Sequence, residues 1–443
     1  MNLIKIPTQK ILIPNYIIDC IKKIDWMESD EESLTFYEDD FILILYGARG
    51  STAYSGPDHF RYGSNTTSYQ IWSPKLPPEI LYLGDGGSGI LEIDKAVISK
   101  LFANKVNPFT ASQTEISKYI KSVINTYTHY HYDHLHMGSP LAALFHTNNI
   151  PKQIIGGDNP KSQFQKAFKR PAFPRDFGEI QAAYSFYEIT DPRASVLIFT
   201  PNGEFRIMSI SDFKSYLNSE NPQIKHNKAF YNIEDCIVVK CYPADHPDPC
   251  ISYRYENYNS KGEVTMAITI MTDHEIRETD DRNSYFIEHI NNSDVVYFDG
   301  QYTNQNFIPG FGHGRVEIIG KTAANLDIKN VLIGHHDPKR KDDEIDEMVN
   351  ISRENYDKAY QELNNPDKPK TRIAAAADRM MIFIPSRQRK RKGIVFGRMN
   401  LEKGNEITKD DIGPQSSVIS LYKSFDLTQI YKIDDLTTEE KKC

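Results

Sequence analysis

The chain has 443 residues, of which 39% are apolar and 25% charged, with a net charge of −8. That balance fits a soluble globular protein of one large or two ordinary domains. It opposes a long electrostatic interface with nucleic acid, which needs clustered cations, and no run of about 18 apolar residues offers a membrane span. Lys5, Gln9, Lys10 and Asn15 interrupt any apolar core of a leader peptide. Five cysteines without a Cys-x-x-Cys pair read as free thiols in a reducing compartment, so a cytoplasmic location is expected.

In chain order, residues 1–40 read as an N-terminal extension, acidic over its last part. Phe41–Tyr46 is an unbroken apolar run, the pattern of a strand buried on both faces. A Gly-, Ser- and Pro-punctuated loop follows to residue 65. Tyr69–Trp72 and Ile80–Leu83 then read as strands. Helical spacing is expected over Ile90–Phe102 and Gln113–Ser122, with a buried strand at Ser122–Thr126. Residues 135–150 are expected to form a helix with Leu135, Leu141, Leu144 and Phe145 inward. Residues 158–230 are less regular and read as an insertion or lid. Tyr285–Ile290, Arg315–Asn325 and Asp342–Leu363 read as helices, and Met380–Ile384 as the strand that closes a domain spanning 41–385. The remaining residues, 386–443, open with the cationic run Arg387–Lys392 and read as a small appendage, the run itself as a solvated linker. Such alternation fits an α/β, four-layer αββα sandwich, with helices outside two facing sheets.

The most informative stretch is Thr128-His129-Tyr130-His131-Tyr132-Asp133-His134. It places three imidazoles and one carboxylate within six residues, directly after the buried strand at 122–126. Side chains so spaced at a strand end converge on one point. Imidazole with carboxylate suits zinc, manganese or iron, and not calcium or magnesium alone. Three later apolar strands end in the same residue types. Ile237–Pro243 runs to His246, Thr265–Thr272 to Asp273, and Asn330–Gly334 to the pair His335-His336. His136 reads as structural, and Cys250, near His246, as a small buried hydrophobe.

His-x-His-x-Asp-His followed by His, Asp and His in that order resembles the signature of the metallo-β-lactamase fold. Tyr46–Ser51, Arg61–Ser68, Tyr82–Gly89, Pro171–Pro174, Phe311–Arg315 and His335–Pro338 resemble segments of its ribonuclease Z-like, phosphodiesterase branch. The likeness is spread over roughly residues 40–385.

The resemblance implies two divalent metal ions, zinc first and manganese or iron as alternatives. His129, His131 and His246 are expected to hold one, and Asp133, His134 and His335 the other, with Asp273 bridging. His336 is the rival of His335, which is preferred as the first residue off the strand. Asp85 is expected to orient a ligand imidazole. A shared hydroxide would attack phosphorus while His313 protonates the leaving group. In this chain Gly314-Arg315 stands where the family has Ser-Thr after that His. Asn65, Arg315 and His336 are candidate substrate contacts. The implied activity is hydrolysis of a small phosphodiester such as a cyclic nucleotide, with Asp133 and His313 as catalytic residues. Transfer-RNA 3′ processing, lactone or carboxyl-ester hydrolysis, and a non-catalytic metal-stabilised scaffold are the alternatives. Oligomeric state is left open by the residues, although proteins of this fold often form homodimers.

Overall fold

The computed structural model describes residues 39–387 apart from 137, 140, 141, 148, 181, 182 and 221, together with strands at 395–398 and 430–432. Nearly all of the expected N-terminal extension, most of the cationic run and the rest of the appendage lie outside the described residues.

The strands, in chain order, are β1 (Phe41–Gly47), β2 (Ser68–Trp72), β3 (Ile80–Gly84), β4 (Ser122–Thr126), β5 (Lys152–Gly156) and β6 (Tyr184–Glu188), then β7 (Ser195–Phe199), β8 (Phe205–Ser209), β9 (Gln223–His226) and β10 (Ala229–Asn232). They continue with β11 (Ile237–Pro243), β12 (Ile251–Tyr258), β13 (Val264–Met271), β14 (Val295–Asp299), β15 (Asn330–Gly334), β16 (Arg372–Ala375), β17 (Met380–Ile384), β18 (Val395–Arg398) and β19 (Ile430–Lys432). One sheet has the order β19-β18-β17-β1-β2-β3-β4-β5-β6 and the other β16-β15-β14-β13-β12-β11-β7-β8, while β9 and β10 pair as a separate hairpin.

Period-two alternation makes the layers. Phe41, Leu43 and Leu45 of β1 join Leu197, Phe199, Ile237, Val239 and Ile268 in the core between the sheets. Ile42, Ile44 and Tyr46 face the other way, onto Ile90, Ile93 and Val97 of the helix Ile90–Ala103. On the second sheet Val196, Ile198 and Val238 point outward, beneath Phe213 of the helix Ile210–Leu217. The helices Val316–Asn325 and Asp342–Glu362 pack against each other beside β15 and β16. The result is the αββα arrangement that the alternation predicts.

Local expectations change at four places. The helix expected over 135–150 is a π-type turn at Tyr132–His136 followed by a short helix, Ala143–His146. Wide turns of this kind recur at functional sites, and here it carries Asp133 and His134. The helix expected over Gln113–Ser122 stops at Ile116, because Ser122 already begins β4. Within 158–230, β6 edges the first sheet and β7 and β8 edge the second. The apolar run Ser195–Phe199 is therefore sheet core. The first sheet also continues past residue 385 through β18 and β19.

The topology gathers strand ends. β3 and β4 are parallel, as are β13, β14 and β15. β11 pairs antiparallel with β12, and β12 with β13, so β11 runs with β13. Asp85, the 129–134 segment, His246, Asp273, Asp299 and His335 therefore all leave the C-terminal ends of their strands.

Candidate metal centre

Two donor clusters share one carboxylate. His129, His131, His246 and Asp273 each offer a donor atom, all within 4.8 Å of one another, and so do Asp133, His134, Asp273 and His335. In the second cluster Asp133 Oδ2 lies 3.3 Å from His134 Nε2 and 3.1 Å from His335 Nε2. Asp273 Oδ1 lies 3.1 and 3.2 Å from the same two nitrogens, which stand 3.4 Å apart. Zinc bonds of about 2.0–2.1 Å in a tetrahedron set neighbouring donors about 3.3–3.4 Å apart, so these edges are metal-sized.

Tautomers sharpen the argument. His134 Nδ1 lies 2.9 Å from Asp85 Oδ2 and His335 Nδ1 lies 3.0 Å from Gln301 Oε1, both acceptors. Each Nδ1 therefore carries a proton, and the two Nε2 atoms, 3.4 Å apart, both face Asp133 and Asp273, where they would serve as metal ligands once deprotonated. In the first cluster, His129 Nε2 and His246 Nε2 are buried without a hydrogen-bond partner, which is costly unless a metal takes the lone pair. His246 Nδ1 is 3.0 Å from the Asp248 carbonyl, and His131 Nε2 is 2.7 Å from Asp248 Oδ2, which leaves His131 Nδ1 to face the cluster. His131, His134, His246 and His335 thus each have a partner that fixes the ring, as metal-ligating histidines do.

The protonation states suit the role. Burial, helped by the His134 charge, depresses His129, and burial likewise lowers His246, so both rings are neutral donors. Burial alone would raise the carboxyls of Asp133 and Asp273, but the surrounding imidazoles hold both well below the usual range. Burial works against a charge on His134 and His335, but Asp273 and Asp133 raise both, and the two imidazoles would give up that second proton if a divalent ion were held there.

Backbone strain marks the same places. Asp85, Asp273 and His335 all have φ between 49° and 54°. A left-handed conformation at a non-glycine residue costs of order 1–3 kcal/mol and clusters at functional sites. Here it turns the first residue past β3 or β15, or the second past β13, into the cleft.

Asp85 sits fully buried, accepting from Thr128 N at 2.8 Å and facing His134 Nδ1. His313 packs its ring on His335, centroids 4.9 Å apart, and its Nδ1 lies 2.8 Å from Asp299 Oδ2. Burial works against the His313 charge, but the Asp299 carboxylate outweighs it and holds the imidazolium above its ordinary range. Asp273, Asp299, His313 and His335 also form a donor group. The 2.8 Å Asp299–His313 contact is a hydrogen-bond length, shorter than the spacing of two ligands on one ion. Gly312, at φ +81°, lies so close to His246 that a Cβ there would stand 2.3 Å from the ring.

The expected substrate contacts fare differently. His336 is fully buried and its Nε2 lies 3.0 Å from the Ala376 carbonyl. The turn at His335 sends one ring into the cleft and the next into the core, which corrects the expectation that His336 touches substrate. Burial and the neighbouring Arg49 charge push the His336 pKa down to about 3, so it is a neutral core residue. Asn65 accepts from Ser88 Oγ at 3.1 Å within a polar turn. Arg315 stacks on Phe307, 4.2 Å from the ring centroid. The side chain of His136 is not among the described residues. Cys250 is buried, with Sγ 3.8 Å from His129 Nδ1.

Sequence reasoning passed over Asp299, Gln301, Asp248 and the Ser51 amide, which donates to Asp133 Oδ2 at 2.7 Å. Asp299 ends the apolar run Val295–Phe298 just as Asp273 ends its own strand. That was the available signal.

No protein-family model matches the chain, and no curated protein matches it either. Solved structures do resemble it. Unliganded yeast PDE1 aligns at 14% identity and TM-score 0.47, covering 76% of this chain and 98% of that one. The metallo-β-lactamase fold protein YhfI from Bacillus subtilis aligns at 14% identity and TM-score 0.42, covering 77% and 98%. Human tRNase Z, short form, aligns at 13% identity and TM-score 0.41, covering 78% and 99%. The two facing sheets, the helices outside them and the donor residues at the strand ends are the αββα arrangement expected of the metallo-β-lactamase fold.

Proposed function

We propose that the protein is a dinuclear metal-dependent hydrolase, acting as a phosphodiesterase on a small ester such as a cyclic nucleotide. The observation that carries this reading is the joining of two donor clusters through Asp273, beside an imidazole backed by Asp299. His129, His131 and His246 would hold one divalent cation, and Asp133, His134 and His335 the other. The imidazole and carboxylate donors suit zinc first, then manganese or iron. Such a pair, when bound, supplies an activated water and Lewis-acid stabilisation of phosphoryl charge.

The protein's own groups do the rest. Asp273 spans both clusters and fixes their separation. Asp85, Gln301 and Asp248 hold the imidazole rings in position. His313 delivers the proton that a departing alkoxide needs. Its Nδ1 is committed to Asp299, so Nε2 is the nitrogen that transfers. A positioned acid of this kind contributes about 10²–10⁴-fold in rate.

The net charge of −8 keeps nucleic acid the disfavoured substrate. Among the described residues Cys236, Cys241 and Cys250 are free and buried. Among the described residues no helix is long and apolar enough to cross a membrane.

The test sets metal-reconstituted protein against bis-p-nitrophenyl phosphate, a panel of cyclic nucleotides and a simple lactone. Turnover of phosphodiesters with the lactone inert supports the reading. Turnover of the lactone with every phosphodiester inert contradicts it in favour of carbonyl hydrolysis.

A further inference from the structure

The turn Arg49-Gly50-Ser51 follows β1, far in sequence from every residue of the two clusters, yet it touches two members of the second. The Ser51 amide donates to Asp133 Oδ2 at 2.7 Å, the same oxygen that faces His134 and His335. Gly50 lies against the His335 ring, where a Cβ would stand 2.3 Å from Cε1 and Nδ1. The turn is itself fastened to the far side of His335. Gly50 N donates to the His336 carbonyl at 2.9 Å, and His336 N donates to the Ala48 carbonyl at 3.0 Å. The fully buried Arg49 guanidinium donates to the carbonyls of Gly63 at 2.9 Å, Asp337 at 3.1 Å and Arg340 at 2.6 Å.

We infer that Gly50 and the Ser51 backbone amide are positioning residues that assemble the second metal site, by holding Asp133 and His335 from two different sheets at metal-sized separation. The inference rests on the dinuclear reading above. Two features make it specific. Gly50 acts by lacking a side chain, so any Cβ must displace the His335 ring. Ser51 acts through its N–H, so its hydroxyl is dispensable. Ser51 has φ +58°, a conformation that glycine adopts freely. The members of the first cluster, His129, His131 and His246, make no contact of this kind with the turn, so their site is left whole when it is disturbed.

The experiment counts tightly bound metal per chain after zinc or cobalt loading and desalting, for the wild-type protein, Gly50→Ala and Ser51→Gly, with thermal unfolding to show that each is folded. Two equivalents in wild type and Ser51→Gly, and one in Gly50→Ala, is the expected result. Two equivalents in folded Gly50→Ala overturns the role of Gly50. One equivalent in Ser51→Gly overturns the amide's role by assigning it to the hydroxyl, and this variant decides if Gly50→Ala does not fold. Wild type holding fewer than two equivalents instead contradicts the dinuclear reading, and the clamp falls with it.

Discussion

Asp299 Oδ2 lies 2.8 Å from His313 Nδ1, while the His313 ring stacks on His335 with centroids 4.9 Å apart. The Asp299 carboxylate thus ties the proposed proton donor to the wall of the second donor cluster. It fixes which nitrogen carries the proton and favours the charged ring.

A proton donor matters in proportion to how poor the leaving group is. His313→Ala is therefore expected to cut turnover of a cyclic nucleotide, whose leaving group is a sugar alkoxide, by roughly 10²–10⁴-fold. Turnover of bis-p-nitrophenyl phosphate, which releases a stable phenolate, should fall far less. Steady-state rates on the two substrates check this. Equal losses on both would remove His313 from the proton-transfer role.

Asp85 is buried against His134 and should act through that ring. Asp85→Asn is expected to weaken metal binding at the second cluster, which His134 serves, by about 10–100-fold. Competition against a graded series of chelators measures it. An unchanged affinity would mean that Thr128 alone suffices to orient His134.

The adjacent histidines should separate cleanly. His335→Ala is expected to lower metal content from two equivalents to one. His336→Ala should keep both, and lose about 1–3 kcal/mol of stability through its buried hydrogen bond and the cavity left behind. Metal analysis and denaturant unfolding of the two variants give both readings. Loss of metal in His336→Ala would reverse the assignment.

Away from the centre, Glu256 is fully buried, with Oε1 2.6 Å from Arg254 Nε and Oε2 3.1 Å from Lys240 Nζ. Burial alone would raise its carboxyl, but Arg254 and Lys240 bring it down to about 2. A carboxyl depressed in the folded state stabilises that state above its unfolded value of 4.5, and the contribution is lost as pH falls towards 2. Glu256→Gln leaves two cations unpaired and should cost about 3–5 kcal/mol at pH 7. The deficit should shrink below pH 4. Denaturant unfolding at both pH values tests the sign, and a deficit that grows in acid would refute it.

The strand-end residues that the structure gathers were readable because a metal site demands particular residue types at fixed places on a fold. His129 through His134 announce themselves by density, and His246, Asp273 and His335 by following apolar runs. Asp299 follows such a run too, but a single carboxylate at a strand end has no type to set it apart from a structural one. Gln301, Asp248 and the Ser51 amide are still less visible, since a backbone N–H leaves no mark on composition. The choice between His335 and His336 turns on one backbone angle, φ +52° at His335, which sequence spacing cannot convey. The β7 run Ser195-Val196-Leu197-Ile198-Phe199 was as apolar as β1. Its irregular flanks hid its place in the second sheet.

The central claim is that two metal ions, held as described, hydrolyse a phosphodiester. It is tested most directly by titrating metal-free protein with zinc while following both bound metal and hydrolysis of bis-p-nitrophenyl phosphate, with Asp133→Ala alongside. The account expects turnover to rise with the second equivalent and Asp133→Ala to bind one equivalent and stay inactive. Two bound equivalents without turnover of this ester or of any cyclic nucleotide would contradict it.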